Sequence, residues 1–200
     1  MIRTLLMVSL SLLLGCSTTA DSGGSSIQPT PASSTTAAVA EERQHRREQA
    51  ASILQSLYAR QPKARQSVTD AYGYAVFRNL GMKLLVAGSG SGKGIAVENA
   101  TGRETFMKMA EIQAGLGFGA KRYNLIWVFA SRQAFDSFIH SGIEIGGQAT
   151  VAAKAGDAGG DAAGAVQVAD GVWVYQLTED GLAAELTVKG TRYYRDRDLD

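Results

Sequence analysis

One stretch constrains the fold of this 200-residue chain more than any other: Tyr123–Ala130 reads Tyr-Asn-Leu-Ile-Trp-Val-Phe-Ala. Successive side chains of a strand point to opposite faces. Here both faces are apolar, so the strand has to be central and covered on both sides. The composition, 45% hydrophobic, is rich enough to supply such covers.

The covers are legible on either side of it. In Glu41–Arg60, the residues Ala50, Ile53, Leu54, Leu57 and Tyr58 recur at helical spacing and predict one apolar helix face. Pro62 suits the first turn of a second helix running to about Ala71. Short apolar runs follow at Tyr74–Phe77, Met82–Ala87 and Ile95–Val97, and a turn at Glu98–Gly102 leads to Glu104–Met109. Glu111–Lys121 alternates small and larger residues before the central strand. Ser131 can cap a helix from Arg132 to about His140, with Phe135, Phe138 and Ile139 inward and Gly142 ending it. Ile143–Ala153 reads as a strand, Ala155–Ala165 as a small-residue loop, and Val172–Leu177 with Leu182–Lys189 as a hairpin. The tail from Arg192 is charged and aromatic. The expectation is an α+β fold: N-terminal helices, then a mainly antiparallel, sandwich-like or barrel-like β unit with one inserted helix.

The N-terminus carries a different message. After Met1-Ile2-Arg3, an uncharged apolar run extends from Thr4 to Leu14. At about a dozen residues it is short for a bilayer span but suits the core of a secretory signal. The run ends in Leu13-Leu14-Gly15-Cys16, which resembles the bacterial lipobox, and Cys16 is the chain's one cysteine. The resemblance implies a signal peptide over residues 1–15, acylation of the Cys16 thiol, and membrane attachment through several acyl chains. Ser17, a residue other than Asp after the Cys, implies sorting to the outer membrane, facing the periplasm. Residues 16–40 are rich in Ser, Thr, Ala and Gly, hold Pro29 and Pro31, and read as a disordered tether. A reach of roughly 25–30 Å keeps the domain, residues 41–200, near its membrane.

Most enzyme chemistries lack their residues. One cysteine and two histidines exclude a Cys-cluster metal site and leave little for acid–base relays. Lys and Arg number 20 against 19 Asp and Glu, so no overall charge argues for nucleic acid. The Gly-rich segment Ala87–Gly94 fails as a phosphate loop, because Ala87 stands where Gly is needed and Gly94 follows Lys93 instead of Ser or Thr. It reads as a tight β connection with Lys93 at its tip. Gly115, Gly117 and Gly119 lie at period two and read as room for a neighbouring layer. No Ser has Gly two residues before and after it, so the hydrolase elbow is absent. Trp127 and Trp173 read as core, and the cluster around Arg43, His45, Arg46, Arg47 and Glu48 as a solvated helix face. No cofactor, no metal and no catalysis are expected.

Several blocks together resemble one family. Ala71-Tyr-Gly-Tyr-Ala-Val-Phe77, Lys83–Gly88 and Ser91-Gly-Lys-Gly-Ile-Ala-Val97 are similar to the opening of the SYLF domain. Gly115-Leu-Gly-Phe-Gly119, Leu125–Phe129 with its helix, Gly146-Gly-Gln-Ala-Thr-Val-Ala152 and Gly181-Leu-Ala-Ala-Glu-Leu resemble its later blocks. The resemblance covers roughly Arg43 to Arg195. It implies binding of phosphoinositides or other membrane lipids, as associated with eukaryotic SYLF domains. The actin association of fungal relatives has no evident meaning behind a bacterial export signal. Two departures matter: Arg78-Asn79 stands where many relatives have Pro, and Ser91 where an Arg often precedes the Gly-Lys-Gly turn.

The resulting expectation is a non-enzymatic, lipid-anchored envelope protein whose domain touches anionic lipid headgroups. Lys93 and the pair Lys121-Arg122, each placed at an exposed turn, are the candidate contacts, worth about 1 kcal/mol apiece near an anionic surface. The rival from another class is a structural or interaction module binding a protein or glycan partner.

Overall fold

The computed structural model describes residues 31–141, 144–145, 164–178, 181–182 and 190–200. These residues form helices α1 (Pro31–Arg60), α2 (Lys63–Asp70) and α3 (Arg132–Ser141), and strands β1 (Gly73–Glu98), β2 (Glu104–Phe129), β3 (Glu144–Ile145), β4 (Val166–Ala169), β5 (Val172–Thr178), β6 (Gly181–Leu182) and β7 (Gly190–Arg195). The α+β class holds, with every strand pairing antiparallel in one curled sheet.

The largest correction concerns strand length. The short runs between Tyr74 and Val97 are one strand of 26 residues, and those between Glu104 and Phe129 are a second of 26. They pair from Gly73 with Phe129 to Val97 with Glu104, with a single irregularity between Leu85 and Ala87. The expected turn closes this hairpin, where the Gly102 N–H donates to Glu98 O at 2.8 Å and Gly102 adopts a φ of +67°. The Gly-rich segment is thus no turn, and Lys93 sits at no tip. Its glycines let the second half of β1 fold back on the first. A β-carbon at Gly94 would lie 2.5 Å from Val76 O, one at Gly73 would lie 2.7 Å from Val97 O, and one at Gly92 would overlap the Asn79 amide. Gly119 also departs from the packing expectation. Nothing stands within 4 Å of its would-be β-carbon, and a φ of +146° is what calls for glycine.

β2 is the spine of the sheet. Along its other edge, residues 107–112 pair with β7 and residues 123–129 with β5. The tail read as merely charged therefore supplies a strand, with Thr191 and Tyr193 inward and Arg192 and Tyr194 outward. The expected Val172–Leu177 strand and its hairpin to Leu182 are present, whereas 183–189, most of the strand expected at Ile143–Ala153, and the loop as far as residue 163 lie outside the described residues.

The central strand is covered on both faces, as its composition requires. Leu125, Trp127 and Phe129 pack with Phe135 and Phe138 of α3 and with Tyr193. Ile126 and Val128 pack on the other side with Ile53 and Leu57 of α1 and with Ala64 and Val68 of α2. Trp127 is fully buried and Trp173 partly so, both in the core as expected. The Ser131 cap is made, its Oγ accepting the Ala134 N–H at 3.2 Å. α1 begins at Pro31, so it takes in the last ten residues of the stretch read as a tether. The rest of that stretch, residues 16–30, lies outside the described residues.

Candidate functional site

The buried stripe of α1 runs Arg46, Ala50, Ile53, Leu57, at intervals of four, three and four residues. Arg46 thus occupies a core position of the helix, which corrects the solvated-face reading for this residue, while His45, Arg47 and Glu48 of the same cluster are exposed as read. Its guanidinium, 4% exposed, donates to Glu42 Oε1 at 3.1 Å, Met107 O at 3.1 Å and Asp196 Oδ2 at 2.6 Å. Its neighbours dock as well. Arg43 Nε donates to Leu199 O at 2.7 Å, and Arg47 pairs with Glu104 at 2.8 Å. Burying a charge is costly unless it is paired and hydrogen-bonded. Here the pairing ties α1 to β2 and to the C-terminal residues.

This network borders a cleft of about 560 Å³. The first half of β1 lines it with Arg78, Asn79 and Leu80, and the second half with Ser91, Gly92 and Lys93. β2 adds Lys108, Met109 and Arg122, β7 adds Tyr194, and α1 adds Gln49. The curl of β1 on itself creates the site, by bringing together residues more than a dozen positions apart on one strand.

Two of the four cations are already engaged. Lys93 Nζ lies 2.8 Å from Glu42 Oε1, and Lys108 Nζ lies 2.7 Å from Asp196 Oδ1 and 2.8 Å from Asp198 Oδ2. The hydrogen bond from Lys93 is the main cause holding the Glu42 carboxyl below its ordinary value; burial opposes it and Arg46 reinforces it. Burial pushes the Asp196 carboxyl up, but hydrogen bonds from Lys108 and Arg46 outweigh it and leave the group below its ordinary value. The same contacts, Asp196 first and then Asp198, raise the Lys108 ammonium above its own. All these groups are charged near neutral pH. Arg46, Lys93 and Lys108 balance Glu42, Asp196 and Asp198, three against three. Among the described residues, Arg78 and Arg122 have no ion-pair partner and no carboxylate lines the cleft.

Of the residues singled out from sequence, Lys93 and Arg122 meet in this cleft. Lys121 does not. It is exposed within β2, opposite Gly81, and neighbouring strand residues point to opposite faces. Neither Lys121 nor Arg122 is at a turn, because β2 runs straight through both. Cys16 lies outside the described residues. Arg78 and Lys108 escaped sequence reading, although Arg78 is one of the two residues that replace the family's Pro. Asn79 escaped too: it is 1% exposed, and neither polar atom of its amide has a partner among the described residues.

Two exposed apolar side chains, Leu80 and Tyr194, line the cleft. Leu80, Met82, Ile112 and Tyr194 are the exposed large apolar side chains among the described residues, Met82 at 57% and Ile112 at 76%. Leu80 pairs across the hairpin with Arg122, and Met82 with Ala120. Among the described residues, no group of His, Cys, Asp or Glu could hold a metal ion, and no helix is long and apolar enough to cross a membrane.

Residues 110–200 match the family model described as Ysc84, Las17-binding protein actin regulator. A protein named beta cell expansion factor A, from Aeromonas veronii, is 33% identical over 150 residues. That match covers 75% of this chain and 56% of the relative, so the chain spans somewhat over half of the relative's length. Residues 110–200 therefore belong to the Ysc84, or SYLF, family, the one that the sequence motifs resemble.

Proposed function

We propose that this chain is a non-enzymatic, lipid-anchored envelope protein whose SYLF domain contacts membrane lipid. The observation that carries the lipid contact is the face of the β1–β2 hairpin on which exposed Leu80 and Met82 accompany Arg122, with exposed Lys121 at the next position of β2, on the opposite face. An interface of this kind offers apolar side chains to the acyl boundary and cations to anionic headgroups. SYLF membership supports lipid binding in general terms, and the cleft beside this surface adds the cations Arg78 and Lys93.

Lys121→Glu combined with Arg122→Glu is the informative variant. Lys93 is better spared, since an acid there would face Glu42 and disturb the helix contact. Each lost cation removes about 1 kcal/mol of attraction, so two losses weaken binding about thirtyfold before any new repulsion is counted. Co-sedimentation of the full chain with anionic vesicles should fall accordingly. It should also fall for the parent as salt rises from 0.1 to 1 M and the Debye length shrinks from about 10 to about 3 Å. Undiminished sedimentation of the double variant would exclude this surface as the lipid contact.

The anchoring half of the proposal rests on Leu13-Leu14-Gly15-Cys16 after an apolar run. It places the chain in the outer membrane, facing the periplasm, with its signal removed before Cys16. Mass spectrometry of the membrane fraction should find an acylated Cys16 at the new N-terminus. An unmodified thiol there would refute the anchor and leave the domain's lipid contact as a separate question.

A further inference from the structure

We infer that the cleft within the curl of β1 is a binding site for a terminal phosphate group carried on a larger ligand. Three observations converge. With Lys93 and Lys108 balanced by carboxylates, Arg78 and Arg122 leave a surplus of two positive charges in a cleft that, among the described residues, no carboxylate lines. A terminal phosphate carries close to two negative charges at neutral pH and offers three strong acceptor oxygens, whereas a phosphodiester carries one charge. The guanidinium fork suits such oxygens in a two-pronged way that a point charge does not.

The second observation is Asn79. Asn79 is among the residues that line the cleft, is 1% exposed, and among the described residues its amide has neither donor nor acceptor satisfied. A buried amide without partners is costly, and a ligand that accepts from its nitrogen removes part of that cost. The third is size. At about 560 Å³ the cleft far exceeds a bare phosphate ion and falls in the range of small-molecule sites. The phosphate therefore arrives on a headgroup or a soluble metabolite, with Ser91 available as a further hydroxyl partner. This refines the lipid-contact reading and rests on it only for the source of the phosphate.

The test is a calorimetric titration of the full chain with glycerol 3-phosphate, a monoester, and with glycerophosphoglycerol, a diester. The monoester should bind at least about tenfold more tightly. Arg78→Gln and Arg122→Gln should each weaken it by about tenfold or more, and Lys63→Gln, at an exposed position on α2, should leave it unchanged. Both arginines are exposed, so the variants should keep the parent's circular dichroism. Absent monoester binding, equal binding of the two esters, or arginine variants no weaker than Lys63→Gln would overturn the assignment.

Vesicles identify the source. Phosphatidic acid should be preferred over phosphatidylglycerol at equal surface charge, with the preference lost in Arg78→Gln. If glycerol 3-phosphate binds and neither vesicle does, the cleft stands, its ligand is soluble, and the lipid reading falls. If both vesicles bind equally and Arg78→Gln changes nothing, the lipid reading stands and the cleft assignment falls.

Discussion

Gly94→Ala should destabilise the fold by about 3 kcal/mol or more, while Gly190→Ala should leave it within about 0.5 kcal/mol of the parent. The chemical change is the same and only the surroundings differ. A methyl at Gly94 would stand 2.5 Å from both the Val76 carbonyl oxygen and a Phe77 ring carbon. Val76 O is backbone, and the Phe77 ring is fully buried among Phe138 and Tyr193, so neither can step aside cheaply. At Gly190 the nearest atom is Ile112 O at 3.9 Å, ordinary contact distance. Equilibrium urea unfolding of the two variants, read by tryptophan fluorescence, makes the comparison. Near-parent stability for Gly94→Ala would mean that the two halves of β1 do not pack this closely. Because the same closure brings Arg78 and Lys93 into one cleft, a Gly94 variant that still folds should also bind anionic vesicles less well than the parent.

The same glycines explain what the sequence disclosed and what it hid. Tyr123–Ala130 announced a doubly covered strand because apolar side chains on both faces admit few alternatives. Ser131 announced α3 because capping is a local chemistry that reads the same in any fold. Gly88, Gly90, Gly92 and Gly94, by contrast, are the usual punctuation of turns, and local rules read them that way. The actual task of Gly90, Gly92 and Gly94, admitting a strand to its own other half, is set by contacts between positions such as 76 and 94. Nothing local in the pattern reveals such contacts.

The candidate site follows the same division. Lys93 and Arg122 could be picked out as cations at expected turns, but their convergence depends on the curl. Lys121, one residue from Arg122, was grouped with it by sequence proximity and is separated from it by strand alternation. Arg46 was legible in principle, since its spacing to Ala50, Ile53 and Leu57 is that of the buried stripe. Its charge, and the charges around it, suggested solvent instead. The β7 strand was masked in the same way, because Thr191 and Tyr193 alternate with Arg192 and Tyr194 inside a run dominated by charge.

Arg46→Met should cost about 3–5 kcal/mol, as expected when one partner of a buried ion pair is removed and the other is stranded. Asp196 is 1% exposed, and without Arg46 it keeps, among the described residues, Lys108 as its one cation in contact. The Met107 carbonyl also loses a side-chain donor. The pair is the source of the cost, so replacing both members with apolar side chains, Arg46→Met with Asp196→Leu, should recover a good part of it. Acid provides an independent check. The folded Asp196 carboxyl sits below its ordinary 3.8, so the stability tied to its ionisation is complete above that value and is lost as pH falls through the folded value. The gap between parent and Arg46→Met should accordingly be full near neutrality and narrow below pH 3.8. A gap that stays constant down to low pH, or a double variant as unstable as the two single changes summed, would show that Arg46 acts through packing alone. The effect should reach the cleft as well. Arg46 fixes Glu42 and Asp196, and these hold Lys93 and Lys108 at its wall, so the variant should lose anion affinity even at temperatures where it remains folded.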